Sequence, residues 1–293
     1  MIAGDGPILI AGPTASGKSA LALRLAERHG GCIVNADALQ VYGCWRALTA
    51  RPADADLARA PHRLYGHVGA REGYSVGRWL AEVAQALAAC RAQGWRPIVV
   101  GGTGLYFTAL TEGLADMPPP DPALRAEAQA RLAALGRAGL AAEIAARDPA
   151  TFVRIDPANP ARLLRAWEAL EGGEGLAARW ACAPPPLVPA QGATRIVLDP
   201  DPAALNARIH ARFAAMLAEG ALEEARAALA LPADAPALKA IGARELLAHL
   251  RGEMSLAQAA EAAARATRQY AKRQRTWFRN RLSDWARADP ADL

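Results

Sequence analysis

Gly12-Pro-Thr-Ala-Ser-Gly-Lys-Ser19 fits the pattern G-x-x-x-x-G-K-[ST] at every fixed position, and its surroundings decide the fold. Ahead of it runs Pro7-Ile-Leu-Ile-Ala11, a short apolar stretch that reads as a buried strand. Behind it, Leu21, Ala22 and Leu25 recur at helical intervals within residues 19–29. Strand, glycine loop, helix is the context in which this pattern cradles phosphate. The glycines let backbone N–H groups converge on phosphate oxygens, and the helix start adds its partial positive charge. Lys18 supplies a mobile cation, and the Ser19 hydroxyl can ligate Mg²⁺. The motif speaks for phosphate binding and is silent about the reaction.

Outward from the loop, Cys32-Ile-Val-Asn-Ala36 reads as a second strand with Asp37 just past its end. Leu80, Val83, Ala84 and Leu87 give residues 77–93 a helical period. Arg96-Pro-Ile-Val-Val-Gly-Gly102 follows as a third strand running into glycines. Continuous apolar strands alternating with helices predict an α/β fold, a P-loop parallel-sheet core covered by helices. After Leu114 the character changes. A stiff Met117-Pro-Pro-Pro-Asp-Pro122 precedes helical patterns over 123–147 and 160–171, and Ala183-Pro-Pro-Pro186 with Pro189 forms a second connector. Thr194-Arg-Ile-Val-Leu-Asp199 then reads as a returning strand. The expected organisation is a core of 1–114 and 191–293 with a smaller all-helical insertion domain at 115–190. From Pro202 onward everything reads as helical, ending in a long helix over about 255–282.

With 293 residues, 52% of them hydrophobic and 22% charged, the chain can bury one large core, or one core with a smaller companion. Lys occurs only at 18, 239 and 272, so nearly all positive charge is Arg. The net charge of +5 points mildly to an anionic partner. The cysteines at 32, 44, 90 and 182 form no C-x-x-C pair and suit neither a disulfide framework nor a zinc site. Together with the lack of a leader pattern and of any membrane-length apolar run, they imply a cytoplasmic protein. His62 and His67 lack carboxylates at ligand spacing, so no metal is expected beyond Mg²⁺ at Ser19. A nucleoside-triphosphate enzyme usually carries an apolar strand ending in an acid that helps hold Mg²⁺. Here the strand at 96–102 ends in glycines, and Asp199 precedes Pro200 after the insertion, which weakens a kinase or ATPase reading.

Residues 265–281 contain seven basic side chains and no acid. Arg265, Arg268, Lys272, Arg275 and Arg279 recur at alternating steps of three and four, which places them on one helix face. A solvated face usually mixes signs, whereas a stripe of one sign suits a track for a nucleic-acid backbone and a strong salt dependence.

Three further stretches complete the pattern: Asn35-Ala-Asp-Ala-Leu-Gln-Val-Tyr42, Gly101-Gly-Thr-Gly-Leu-Tyr106 and Thr267-Arg-Gln-Tyr-Ala-Lys-Arg-Gln-Arg-Thr-Trp-Phe278. With the glycine loop, and with Thr49-Ala-Arg-Pro52, Pro61-His62, Tyr74-Ser-Val76 and Asn159-Pro-Ala-Arg162 in support, they run in matching order from about Pro7 to Trp285. In this the chain resembles the tRNA dimethylallyltransferase (tRNA isopentenyltransferase) family. The resemblance implies transfer of a dimethylallyl group from its diphosphate to N6 of the adenosine 3′-adjacent to the anticodon in tRNA. The loop would then hold a diphosphate leaving group through Gly12, Thr14, Ala15, Ser16, Gly17, Lys18 and Ser19, with Mg²⁺. Asp37 stands where the family places its general base, although an Asp there also suits a helix N-cap. Thr103 would contact the target nucleotide and Arg208 the diphosphate; a surface pair of Arg208 with Arg212, four residues on, explains the spacing almost as well. The family's contacts with the anticodon stem-loop map onto Asp37, Ala38, Leu39, Gln40, Thr103, Arg125, Ala161, Arg162, Leu163, Leu164, Arg165, Arg244, Arg268, Lys272 and Arg275. Gln40 is expected to read an edge of an adenine flipped out of its stack. The chain departs from the pattern at Ala38, where Ser is usual, at Ala243, where Tyr is common, and at Arg51, where Lys is typical. The expected enzyme is monomeric and has no membrane partner. Rival readings are a small-molecule P-loop kinase and a non-catalytic RNA-binding protein.

Overall fold

The computed structural model describes residues 5–117 and 121–289, so Pro118–Pro120 of the first proline connector lie outside the described residues. Six strands, β1 (Ile8–Ala11), β2 (Gly31–Asn35), β3 (His62–Arg63), β4 (Arg96–Gly101), β5 (Thr194–Leu198) and β6 (Ala286–Ala288), form one sheet in the order β3-β2-β4-β1-β5-β6. Every pairing is parallel. The chain divides into two compact units, one running to Glu112 and resuming at Leu187, the other Gly113–Pro186.

In the first unit, α1 (Lys18–His29), α2 (Asp54–Leu57), α3 (Val76–Ala92) and α4 (Gly104–Glu112) precede the second unit. Alternation along the strands explains how the sheet is covered. Ile8, Ile10, Ile98, Val100 and Ile196 cluster with Leu21 and Leu25 of α1. Leu9, Val34, Val99 and Val197 turn to the opposite face and pack with Leu87 of α3 and Phe107 of α4. Both faces are dry, which is why the strands read as unbroken apolar runs.

The second unit consists of α5 (Pro122–Arg147), α6 (Pro149–Phe152), α7 (Pro160–Glu171) and α8 (Leu176–Ala181). Its core gathers Leu140, Ile144, Leu163, Ala166 and Trp167. Gly136, at φ 66° and ψ 176°, breaks the helical geometry inside α5, so the expected single helix is bent there.

The first unit resumes with β5 and continues through α9 (Pro202–Ala218), α10 (Ala221–Ala228), α11 (Ala243–Leu250) and α12 (Leu256–Arg281). The expectation that everything after Pro202 is helical is wrong for Ala286–Ala288, which pairs with Ile196–Leu198. An Ala-Arg-Ala stretch is too short and too little apolar to announce a strand. Position supplies what composition lacks: Leu282 and Trp285 are buried, and Arg287 donates to the Phe278 carbonyl at 3.1 Å.

Close backbone approach fixes the glycines after β4. A Cβ on Gly101 would lie 2.0 Å from the Ala36 carbonyl oxygen, which belongs to backbone and cannot swing aside. Gly101→Ala is therefore expected to lower stability by about 1–3 kcal/mol or more. Gly73→Ala, with no atom within 4 Å of the added carbon, should stay within about 0.5 kcal/mol. Urea midpoints of the two variants check the contrast; equal midpoints would mean that the β2–β4 approach is not tight.

Candidate active site

Three adjacent strands deliver the site, because the loop after β1, the turn after β4 and the segment after β2 all leave the same carboxyl edge of the sheet. The glycine loop is shaped by left-handed backbone at Ala15 (φ 62°) and Gly17 (φ 87°). Alternating hands of this kind turn successive amides toward a common centre, and a non-glycine residue held there stores some strain. Gly12 lies beneath the loop, where a Cβ would come within 2.7 Å of Ser16 Oγ. Ser16 is fully buried, and its Oγ has no hydrogen-bond partner. Lys18 folds back over the loop and donates to the Pro13 carbonyl at 3.2 Å.

Above the loop lies a cavity of about 260 Å³. Thr14 to Ala20, Asp37 and Gln40 line it, and Leu48, Phe213, Met216 and Ile241 supply apolar lining. Burial pushes the Lys18 ammonium down to about 8; Asp37 opposes that shift and Arg212 adds to it. Burial also lowers the Arg212 guanidinium from its ordinary value, again against the pull of Asp37. The cavity thus carries two desolvated cations and one carboxylate. Tyr270, from α12, lines the same space, and burial followed by the Asp37 charge raises its phenol, so it stays a neutral donor.

Asp37 is not a helix cap, since the next helix starts only at Asp54. Its Oδ1 accepts from Leu39 N at 2.9 Å, and its own N–H donates to Asn35 Oδ1 at 2.9 Å. Buried Asn35 also donates to the carbonyls of Asp37 and Leu64, both at 3.0 Å. The Thr103 hydroxyl accepts from Ala38 N at 3.0 Å, and Thr103 N donates to the Ala36 carbonyl at 3.2 Å. Thr103 therefore sits beside the carboxylate with its hydroxyl hydrogen still available. Ala38, lacking the usual hydroxyl, keeps its backbone engaged through Thr103.

Geometry corrects one assignment made from the resemblance and narrows another. Arg208 is exposed and does not line the cavity. Arg212, one turn on, does line it and donates to Thr14 Oγ1 at 3.2 Å. Gln40 lines the cavity, but its amide nitrogen donates to the carbonyls of Thr49 and Ala50 at 2.9 and 3.0 Å. The Gln40 nitrogen thus holds the 49–50 turn, which leaves its carbonyl oxygen for a base edge.

The remaining assigned positions divide by exposure. In the second unit Arg125, Ala161 and Arg162 are exposed and Leu164 half-buried. Arg165 pairs with Glu168 at 3.4 Å. Leu163 is 0% exposed inside the second unit's core and cannot meet an RNA. Arg244 is exposed at the start of α11, beside Ala243, which is fully buried and therefore packs rather than stacks. Along α12 the single-sign stripe is partly neutralised, by Glu261 two turns earlier on the same helix and by Asp199 just past β5. Arg268 pairs with Glu261 at 3.2 Å and contacts His210, and Arg275 pairs with Asp199 at 2.9 Å. Arg265, Lys272 and Arg279 stay exposed with no ion-pair partner among the described residues.

Several positioning groups escaped the sequence reading. Glu224 on α10 accepts from the backbone N–H groups of Arg46, Ala47 and Leu48 at 2.8, 2.8 and 3.0 Å, fixing part of the cavity wall. Gln274 accepts from Thr14 N at 2.9 Å and donates to the Gly102 carbonyl at 2.8 Å. His67 meets Glu82 of α3 at 2.7 Å, yet no group of three metal-ligating side chains exists among the described residues.

Comparison with known proteins places this geometry. A family model described as IPP transferase matches residues 40–281, and one described as isopentenyl transferase matches residues 7–70. A protein of Cereibacter sphaeroides (strain KD131) named tRNA dimethylallyltransferase is 60% identical over 286 residues, covering 97% of this chain and 89% of that protein. The solved full-length tRNA isopentenylpyrophosphate transferase of Bacillus halodurans superposes with a TM-score of 0.69 at 28% identity, covering 98% of this chain and 90% of that one. A eukaryotic dimethylallyltransferase solved acting on tRNA gives a TM-score of 0.78 at 26% identity over 93% of this chain and 69% of that one. A phosphate cradle, a carboxylate and a basic helix, read with matches that span almost the whole chain, place this protein in the IPP transferase family of tRNA-modifying prenyl transferases.

Proposed function

We propose that this protein transfers a dimethylallyl group from dimethylallyl diphosphate to N6 of the adenosine 3′-adjacent to the anticodon in tRNA. The observation that carries this reading is one cavity lined together by a cationic phosphate cradle, by apolar side chains and by Asp37. A diphosphate bearing a short hydrocarbon tail matches both kinds of lining.

The diphosphate rests on the amides of Ala15 to Ser19, with Lys18 and Arg212 as its cations. The buried, unpartnered Ser16 hydroxyl and the exposed Ser19 hydroxyl fit an oxyanion with an associated Mg²⁺. Ser19 would hold that ion, which when bound offsets charge on the diphosphate oxygens. The N6 lone pair attacks C1 of the dimethylallyl group, and the C1–O bond breaks with its electron pair leaving on the diphosphate. Asp37 takes the N6 proton, without which the amine delocalised into the ring is a poor nucleophile. Lys18 and Arg212 stabilise the charge that develops on the departing oxygen. Thr103, tied to the Asp37 segment, holds the target base against the carboxylate.

The tRNA backbone follows α12, where Lys272 and Arg279 line a groove with Asn206 of α9. Lys272→Ala is expected to weaken tRNA binding and to reduce the slope of log K against log salt by about one. Filter binding across a salt series checks this, and an unchanged slope would remove Lys272 from the interface. The enzyme works as a cytoplasmic monomer in this reading; its four cysteines are free thiols, and among the described residues no helix is long and apolar enough to cross a membrane.

One assay separates the three readings: unmodified tRNA, Mg²⁺ and labelled dimethylallyl diphosphate, with ATP omitted. Label on RNA is expected. ATP turnover on a small substrate with no label transferred would favour a kinase, and tRNA binding without either reaction would favour an RNA-binding protein.

A further inference from the structure

The phosphate cradle and the Asp37 segment lie on different strands, and transfer requires a fixed distance between them. Between β1 and β2 runs β4, so neither segment braces the other directly through the sheet. A side chain from α12, some 260 residues from the loop, fills the gap. Gln274 is 5% exposed, and its carboxamide engages one backbone group on each side. Its oxygen takes the Thr14 N–H at 2.9 Å, and its nitrogen gives a hydrogen to the Gly102 carbonyl at 2.8 Å. From Gly102 the chain continues into Thr103, whose N–H and hydroxyl hold Ala36 and Ala38 on either side of Asp37. The contacts make one unbroken path from the glycine loop to the base segment.

Two further details fit no bystander role. A Cβ on Gly102 would come within 2.3 Å of Gln274 Nε2, so the carboxamide can hold this place only while Gly102 has no side chain. The Thr14 amide is also taken out of the phosphate cradle, since its hydrogen is already engaged by Gln274. A carboxamide carries its acceptor and its donor on separate atoms, so it can accept from an amide and donate to a carbonyl at once.

We propose that Gln274 is a positioning residue for prenyl transfer, a clamp that sets the donor cradle against the Asp37–Thr103 segment. The proposal rests on the transfer reading above. Clamping of this kind acts on the reaction step more than on either binding step, because the cradle amides of Ala15 to Ser19 and the basic face of α12 remain in place without it. A displacement of about 1 Å between reacting groups costs on the order of 100-fold in rate.

The test compares Gln274→Met, which keeps length and loses both backbone bonds together with the contact to Tyr270, with Gly102→Ala, which pushes the carboxamide away and leaves it intact. Active-site concentration is first set by single-turnover amplitude. Each variant is expected to lower kcat roughly 10- to 100-fold. Affinity for inorganic diphosphate and for tRNA should stay within about threefold, because the groups that bind them are untouched. The double variant should be no worse than the weaker single by more than about threefold, since both act on one contact. If kcat per active site is unchanged and only the melting temperature falls, Gln274 is a packing residue and the proposal fails. Losses that multiply in the double variant overturn it too. If Gln274→Met does not fold, the kcat of Gly102→Ala decides by itself. A wild-type chain that transfers no prenyl group would strike first at the transfer reading and take the clamp with it.

Discussion

Asp37→Asn lowers kcat by about 10²- to 10⁴-fold, the range expected when a positioned general base is lost, while tRNA affinity stays within about threefold. The substitution isolates proton transfer. Asparagine keeps an oxygen that can accept from Leu39 N, and the Asn35 clasp on the segment's backbone does not involve the Asp37 carboxylate at all. The loop should therefore hold its shape and lose only the ability to take a proton. Single-turnover rates with saturating tRNA and donor, beside filter binding of tRNA, make the measurement. Near-wild-type turnover would remove Asp37 as the base, and loss of tRNA binding would turn it into a recognition residue.

Lys18→Met is expected to lower kcat/KM for the donor by about 10²- to 10³-fold, as for removal of one charge-stabilising group from a preorganised site. Arg212 stays behind, so the loss falls short of complete. The depressed lysine adds a pH signature. In the free enzyme the ammonium is lost as pH rises through about 8, because burial disfavours its charge. The kcat/KM for the donor should therefore fall above that pH, while kcat falls less, since a bound diphosphate favours the charged form. The same shift bears on stability with a definite sign. Between about 8 and the ordinary lysine value the unfolded chain binds more protons than the folded one, so the ligand-free protein gains stability as pH rises through that window. A pH-independent kcat/KM from 7 to about 9.5 would show that the ammonium is not needed for capture of the donor.

What the sequence made legible was what depends on local order. The glycine loop, the apolar runs of β1, β2 and β4, and Asp37 at a strand end could all be read because each is defined within a dozen or so residues. The rest depends on packing between distant segments. Arg208 and Arg212 have the same chemistry on the same helix, and only the direction that α9 presents to the loop separates an exposed residue from a cavity residue. Leu163 lies between exposed Arg162 and half-buried Leu164, and one step around α7 turns it into a core residue. Glu261 lies on α12 seven residues before Arg268 and can be placed by spacing, whereas the pairing of Arg275 with Asp199 could be seen only once the end of β5 lay beside the helix. Gln274 offered no signal, since an amide within a basic run looks like any polar residue until its two backbone partners are known.

The central claim is that the glycine loop holds a prenyl diphosphate as leaving group, and nucleoside analysis tests it most directly. Unmodified tRNA is incubated with the enzyme, Mg²⁺ and dimethylallyl diphosphate without ATP, then digested and resolved by mass spectrometry, with released diphosphate measured in parallel. The expected result is N6-dimethylallyladenosine from the position 3′ of the anticodon, formed one for one with diphosphate. Diphosphate release with no modified adenosine, or a modification that appears only when ATP is added, would contradict the account.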